Sequence, residues 1–203
     1  MLCNRDKRKL QRCLEDLYCN QCDVCICGCG CCKDIATNVC DCCVDPMEDF
    51  LKKALDILSD QGTLTVFLTS GQSATGLKPD ITTLEDGIIG GTDINGVVRS
   101  IPICQISRVV AHEPGQSLNP NAITLLPAVC TCGECDCCER PTREKLSTFP
   151  QGKQVQFFYV GLESGVPPTL DIFEKVGLGI ALTSNLGDLI GYSNCKITAI
   201  TEP

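Results

Sequence analysis

The sequence contains no tryptophan and a single histidine, and aromatic residues make up only 4% of its 203 positions. A core must therefore be built mainly from Ile, Leu and Val. One histidine does not allow a convincing Ser-His-Asp triad, and no partners at metal-site spacing accompany His112, so we expect it on the surface at the end of a strand. Gly28-Cys-Gly30 lacks the flanking strand and helix of a phosphate-binding loop. We therefore do not expect an enzyme.

Basic charge and long apolar runs are also scarce. Lys and Arg number 17 against 25 Asp and Glu, which gives a net charge of -8 and a pI of about 4.6. A nucleic-acid binder normally carries a basic face, so nucleic acid is not an expected partner. No apolar stretch reaches the ~18 residues of a membrane span, and none of signal-peptide length follows the first residues. We expect synthesis in the cytoplasm, where thiols are kept reduced, and no membrane contact.

Cysteine, in contrast, is abundant. The chain has 19 cysteines, an odd number that excludes complete pairing within one chain. Seventeen lie outside the segments with the patterns of folded domains, and most of these fall in two runs. The candidate cross-linking or metal-binding residues of the first run are Cys19, Cys22, Cys25, Cys27, Cys29, Cys31, Cys32, Cys40, Cys42 and Cys43, and those of the second run are Cys130, Cys132, Cys135, Cys137 and Cys138.

The rest of the sequence has the pattern of two β-rich domains. A helix is predicted over 46–59, with Asp45 as its cap and Pro46 in its first turn. Its apolar face is formed by Met47, Phe50, Leu51, Ala54, Leu55 and Leu58. Predicted strands follow at 63–69, 73–81, 87–91, 97–103 and 106–111. A shorter helix over 141–148 precedes predicted strands at 155–160, 169–173, 179–183, 189–192 and 196–201. The predicted domains are 1–44 (a short helix and Cys-rich segment), 45–112 (first barrel), 113–140 (Cys-rich linker) and 141–203 (second barrel).

Two short matches indicate an internal duplication. They are Val66-Phe67 with Gly71 against Gln156-Phe157 with Gly161, and Cys104-Gln-Ile106 against Cys195-Lys-Ile197. Cys104 and Cys195 then occupy equivalent positions. We expect both to lie in strands as buried, small apolar side chains, the common fate of a lone cysteine.

Gly71, the Gly76-Leu77 pair with Asp80, and the segment Gly96-Val97-Val98-Arg99 form a pattern over about 65 residues that resembles the Sm-like family of small SH3-type β-barrels. The second copy follows the pattern loosely. The resemblance implies a mainly β protein with two small five-stranded Sm-like barrels, each with an N-terminal helix, plus Cys-rich irregular segments. It also implies a scaffold that pairs edge strands and forms rings or stacks.

The RNA-binding residues of that family do not carry over. Family members bind RNA through an Asp-x-x-x-Asn loop and an Arg-Gly loop, but here Leu84 stands four residues after Asp80 and Pro102-Ile103 replaces Arg-Gly. An Sm-like nucleic-acid adaptor is therefore the least favoured function.

Adjacent cysteines rarely bond to each other, because the small ring distorts the peptide between them. Cys31-Cys32, Cys42-Cys43 and Cys137-Cys138 should therefore reach different partners, and each oxidised pair becomes a branching point that favours bonds between chains. The Cys runs, with their Cys-Cys and Cys-x-Cys clusters, resemble in style Cys-rich coat and exosporium proteins of bacterial spores. This interpretation predicts a self-assembling, cross-linked layer or fibre protein of a spore surface, whose partners are itself and other Cys-rich proteins.

Metal binding is the alternative use of the same thiols. Cys-x-Cys and Cys-Cys spacing lets neighbouring thiolates bridge Zn(II) or Cu(I), and both runs resemble metallothioneins. Cys19-x-x-Cys22-x-x-Cys25 lacks the cysteine-proline ending of a ferredoxin ligand run. Metal that protects the thiols before oxidation locks the assembly would combine the two uses. No cofactor is certain from the sequence.

Overall fold

The computed structural model describes residues 41–127 and 139–203, which we call the first half and the second half. Over these residues the protein is mainly β, with two α-helices and eleven strands. The helices are α1 (Asp41–Ile57) and α2 (Arg140–Ser147). The strands are β1 (Thr63–Leu68), β2 (Ser73–Leu77), β3 (Thr83–Glu85), β4 (Ile88–Thr92), β5 (Val98–Pro102), β6 (Ile106–His112), β7 (Gln154–Tyr159), β8 (Asp171–Val176), β9 (Ile180–Asn185), β10 (Asp188–Ser193) and β11 (Ile197–Thr201).

The strands form two antiparallel sheets. The larger has eight strands in the order β11-β7-β8-β9-β10-β6-β1-β2, and the smaller has three in the order β3-β4-β5. The expectation of two clearly separate five-stranded barrels is therefore corrected. The reason is the pairing of β6 with β10, which joins the last strand of the first half to the second half in a single sheet.

The predicted strand 73–81 is interrupted. Pro79 begins a 3-10 helix, Pro79–Ile81, because proline has no N–H to donate to a neighbouring strand. The chain resumes as β3, which belongs to the smaller sheet. The interruption therefore moves the chain from one sheet to the other.

Helix α1 is longer at its start than the predicted 46–59. It begins at Asp41 and ends at Ile57, so Pro46 lies inside it. Its apolar face is buried, as the spacing predicted, and the Phe50 ring lies so close to Gly191 of β10 that a Cβ added there would collide with the ring. The helix of the first half thus also packs on a strand of the second half. None of the helices in the two described segments is long and apolar enough to cross a membrane.

Two apolar cores share the strands of the second half. The core under α1 includes Leu182 and Leu189 of the second half, whereas Ala181 and Ile190 point into the second core. Successive side chains of a strand point to opposite faces, so β9 and β10 are buried on both sides. This explains why Leu189-Ile-Gly-Tyr192 reads as a continuous apolar run rather than an alternating one.

The strand registers relate the two halves. Leu68 lies opposite Ile106 and Val66 opposite Val109 in the first half, and Tyr159 lies opposite Ile197 and Phe157 opposite Ile200 in the second. A constant offset of 91 residues connects these pairs. The counterpart of Phe157 is therefore Val66. Phe67 is one residue further along β1, so its side chain points to the opposite face of the strand.

Candidate cross-linking site

A disulfide between Cys43 and Cys195 joins the two halves of the chain. The two residues are 152 positions apart in sequence, and their Cα atoms are 6.4 Å apart. Cys43 lies near the start of α1, and Cys195 lies in the 3-10 helix Asn194–Lys196 between β10 and β11. Both are half-buried. The bridge thus fastens α1, the helix of the first half, to the turn that follows β10. β10 is the strand that pairs with β6.

Cys195 and Cys104 differ from their predicted environments. Each lies in a short 3-10 helix before the last strand of its half, not within a strand, and each is half-buried rather than buried. Cys195 is bonded, so it is not a simple apolar side chain. Cys104 is a free thiol. The 91 residues between Cys104 and Cys195 equal the offset between the paired strands of the two halves.

The 3-10 helix that carries Cys195 is held in place by a buried carboxylate. Glu139 is 0% exposed, and its Oε1 accepts hydrogen bonds from Asn194 Nδ2 at 3.2 Å and from the Gly179 backbone N–H at 3.0 Å. Arg143 Nε donates to both carboxylate oxygens, at 3.0 and 3.2 Å. The start of α2 and the start of α1 therefore meet at the same turn, one through Glu139 and the other through Cys43.

Beside the bridge, an arginine from the first half enters an aromatic cluster. Arg108 of β6 lies opposite Tyr192 of β10, and its guanidinium carbon is 4.9 Å from the ring centre of Phe67, 5.4 Å from that of Tyr192 and 5.9 Å from that of Tyr159. The Tyr192 hydroxyl donates to Asp171 Oδ2 at 2.7 Å. Burial raises the pKa of Tyr192 well above its usual range, so this hydroxyl stays a neutral donor.

The structure accounts for two of the fifteen cysteines predicted as cross-linking or metal-binding residues. Cys43 is disulfide-bonded, and Cys42 lies in α1. The others lie outside the described residues: Cys19, Cys22, Cys25, Cys27, Cys29, Cys31, Cys32, Cys40, Cys130, Cys132, Cys135, Cys137 and Cys138. Within the described segments, no three His, Cys, Asp or Glu side chains are grouped as metal ligands would be. His112 is exposed at the end of β6, as expected, and its Nδ1 is 2.7 Å from Asp188 Oδ1.

One signal in the sequence could have identified this site. Cys40-Asp-Cys-Cys43-x-x-Pro46 recurs as Cys135-Asp-Cys-Cys138-x-x-Pro141, each time where a helix begins. In this repeat Cys138 aligns with Cys43 at a separation of 95 residues, not the 91 that separate Cys104 from Cys195. The buried acids Glu139 and Asp171 carry no such signal, because nothing in their local pattern separates them from exposed carboxylates.

Comparison with profiles of known protein families, with curated proteins and with solved structures found no significant match.

Proposed function

We propose that this chain is a structural protein that assembles with copies of itself and is hardened by disulfides through its Cys-rich segments. The observation that carries the proposal is the Cys43–Cys195 bridge. This bridge includes a cysteine at the end of the first Cys-rich run, and it fastens the contact in which β6 pairs with β10. The same chemistry, applied between chains by the remaining cysteines of the runs, would give a covalent layer or fibre.

We further propose that the two halves act as two small Sm-like barrels that supply the geometry of assembly. The pairing of β1 with β6 and the pairing of β7 with β11 have registers related by one constant offset, and this supports a duplicated unit. The β6–β10 pairing and the packing of Phe50 on Gly191 fasten the two units to each other. A spore surface, where proteins made in a reducing cytoplasm become oxidised after the mother cell is lost, is a suitable location, and other Cys-rich proteins are suitable additional partners.

The deciding measurement is the native mass of protein purified without oxygen, repeated after exposure to air. We expect a metal-free chain that loses about two mass units per disulfide and grows into multimers that a reductant dissolves. A chain in which every cysteine except Cys43 and Cys195 is replaced by serine is the matched control, and it should remain unlinked while keeping the Cys43–Cys195 bridge.

The opposite result is equally clear. Added mass that a chelator removes, with a chain that stays monomeric after oxidation, would contradict the structural proposal. It would favour thiolate binding of Zn(II) or Cu(I) by the two Cys runs.

A further inference from the structure

A cleft lies where the end of the β8–β9 hairpin meets the segment 124–127 and helix α2. Its volume of about 370 Å³ is within the size range of small-molecule sites. The lining combines an apolar wall with two cationic side chains, and these residues are Leu125, Leu126, Pro127, Val176, Arg143 and Lys175. Among the described residues, no carboxylate lines it. The cleft thus presents positive charge beside apolar surface.

The segment 124–127 is held against the rest of the molecule on two sides. On the hairpin side, the Leu178 N–H donates to the Leu126 carbonyl at 2.9 Å. On the side of α1, Lys53 Nζ donates to the Thr124 carbonyl at 2.5 Å. This wall of the cleft is therefore preformed in the folded chain, and a ligand does not have to order it on binding.

A β-bulge in β8 sets the direction of the Lys175 side chain. Phe173 lies opposite Thr183 in β9. Lys175 lies opposite Leu182, the adjacent residue of β9, so Glu174 is the extra residue of the bulge. Side chains directly opposite each other share a face of the sheet. Phe173 belongs to the second core and Leu182 to the core under α1, so the bulge turns Lys175 away from the second core and into the cleft.

The charge of Lys175 has no partner within the described residues. Its ammonium group makes no ion pair or hydrogen bond there. The neighbouring Glu174 carboxylate accepts instead from the Ser184 hydroxyl at 2.6 Å and from Gln151 Nε2 at 3.0 Å. Burial lowers the pKa of Lys175, and the charge of Glu174 offsets only part of this effect. A half-buried cation without a counter-ion favours the binding of an anion beside it.

Arg143 adds hydrogen-bond donors but little net charge. Its Nε donates to both oxygens of the buried Glu139 carboxylate, at 3.0 and 3.2 Å, so its positive charge is compensated. Its two Nη groups make no hydrogen bond within the described part of the chain. A guanidinium carries N–H donors along more than one edge, and the Nη groups are available to an oxygen acceptor in the cleft.

We propose that this cleft binds the carboxylate of a small organic acid with an apolar body. The Lys175 ammonium pairs with the carboxylate, Arg143 donates a hydrogen bond to it, and the apolar wall covers the hydrocarbon part. One uncompensated positive charge matches the single negative charge of a carboxylate better than the higher charge of inorganic phosphate. The inference goes beyond the proposed structural function, since this binding requires neither assembly nor a disulfide between chains.

Calorimetric titration of the full-length protein with octanoate tests the proposal. Octanoate joins one carboxylate to an apolar chain, and octanamide has the same shape without the charge. At constant ionic strength we expect octanoate to bind at one site per chain. Octanamide should bind roughly tenfold more weakly, or less, because it loses the charge-assisted hydrogen bonds. Inorganic phosphate, which leaves the apolar wall uncovered, should also bind more weakly than octanoate.

A pair of lysine variants locates the site. Lys175→Gln removes the ammonium and should weaken octanoate binding roughly tenfold or more. Lys78→Gln removes the same charge from an exposed position and should leave the affinity unchanged. Because Lys175 has no partner to lose within the described residues, Lys175→Gln should unfold at the same temperature as the unchanged protein or higher. Thermal unfolding therefore separates a loss of binding from a loss of folding.

The pKa of Lys175 provides a second readout. A bound carboxylate favours the charged ammonium, so octanoate should raise the pKa of Lys175 toward the ordinary lysine value of 10.5. Octanamide carries no charge and should not raise it. NMR spectra of the lysine side-chain nitrogens, recorded across a pH series with each compound, measure the difference.

Several results would overturn the inference. The first is that octanoate does not bind, or that octanamide binds equally well. The second is that Lys175→Gln binds octanoate as tightly as the unchanged protein does. Tighter binding of phosphate than of octanoate would contradict a singly charged, partly apolar ligand. None of these results affects disulfide-linked assembly, so failure of this inference is distinguishable from failure of the proposed function.

Discussion

Glu139 Oε1 lies 3.2 Å from Asn194 Nδ2, and this hydrogen bond connects the start of α2 to the turn that carries Cys195. The carboxylate is fully buried, and Arg143, which is 15% exposed, supplies its counter-charge. A buried acid with three partners is expensive to disturb, because each partner loses one acceptor when the acid is removed, and Asn194 Nδ2 keeps its bond to the Gly177 carbonyl.

We predict that Glu139→Ala destabilises the protein by roughly 3 kcal/mol or more, the usual cost of leaving one member of a buried ion pair uncompensated. Urea denaturation measures the change. Glu144→Ala is the matched control in the same helix, since Glu144 is 64% exposed and its ion pair with Arg140 is 3.7 Å long. It should cost less than about 1 kcal/mol. Equal losses for the two variants would contradict the role of Glu139.

Removal of the bridge should lower the free energy of unfolding, because the bond restricts the conformations of the unfolded chain. The Cys43–Cys195 bond closes a loop of 152 residues, for which the chain-entropy argument gives about 5 kcal/mol at 25 °C. Cys43→Ser should therefore reduce the unfolding free energy of oxidised protein by roughly 2–5 kcal/mol. Thermal unfolding with and without reductant measures the effect.

Cys104→Ser is the control for that loss, because Cys104 is a free thiol in the monomer. It should leave the unfolding of dilute, monomeric protein almost unchanged. If Cys43→Ser also has no effect, the bridge does not contribute to the stability of the native chain.

Gly161 allows the two halves to approach closely. Its φ is +91°, and an added Cβ would clash with the Leu68 carbonyl group, at 3.0 Å from the carbonyl carbon and closer still to the oxygen. Gly165 has a similar φ of +85° but open space around it. Both Gly→Ala variants should lose roughly 1–2 kcal/mol from the left-handed backbone. Gly161→Ala should lose a further 1–3 kcal/mol, roughly the cost of overpacking. Denaturation of the pair measures the difference, and equal losses would show that the close approach is not a constraint.

The hydrogen bonds of Glu113 predict how the free energy of unfolding depends on pH. The hydroxyl and the backbone N–H of Ser59 donate to its carboxylate, at 2.5 and 2.8 Å, and hold the pKa of Glu113 below its usual value. A carboxyl with a lowered pKa stabilises the folded state above its unfolded pKa. That stabilisation is lost as the pH falls through the folded pKa.

We therefore expect the unfolding free energy to fall between about pH 5 and pH 3, because the ordinary pKa of a glutamate is 4.5 and the pKa of Glu113 in the folded state lies below it. The decline should be smaller in Glu113→Gln. Glu163→Gln removes the same charge from an exposed loop and should keep the decline of the unchanged protein. Unfolding curves recorded across this range compare the three proteins, and identical slopes would contradict the assignment.

Local pattern predicted most of the secondary structure. The apolar spacing of Met47, Phe50 and Leu51 identified the buried face of α1, and β-branched runs identified the strands of both halves. Boundaries failed where local rules compete. Pro46 marked a helix start in the sequence but lies inside α1, a position in which its missing N–H removes one helical hydrogen bond.

Side-chain periodicity was enough to predict the mainly β class, and residues repeated along the chain led to the hypothesis of a duplication, which the shared register offset supports. Three other features became visible only in the folded chain: the bond from Cys195 to Cys43, the burial of Glu139 and Asp171, and the pairing of β6 with β10 that merges the halves in one sheet. Each of these depends on contact between segments far apart in sequence. An edge strand has donors and acceptors for any neighbour, and a thiol can bond any other thiol, so the packing of the whole chain selects the partner.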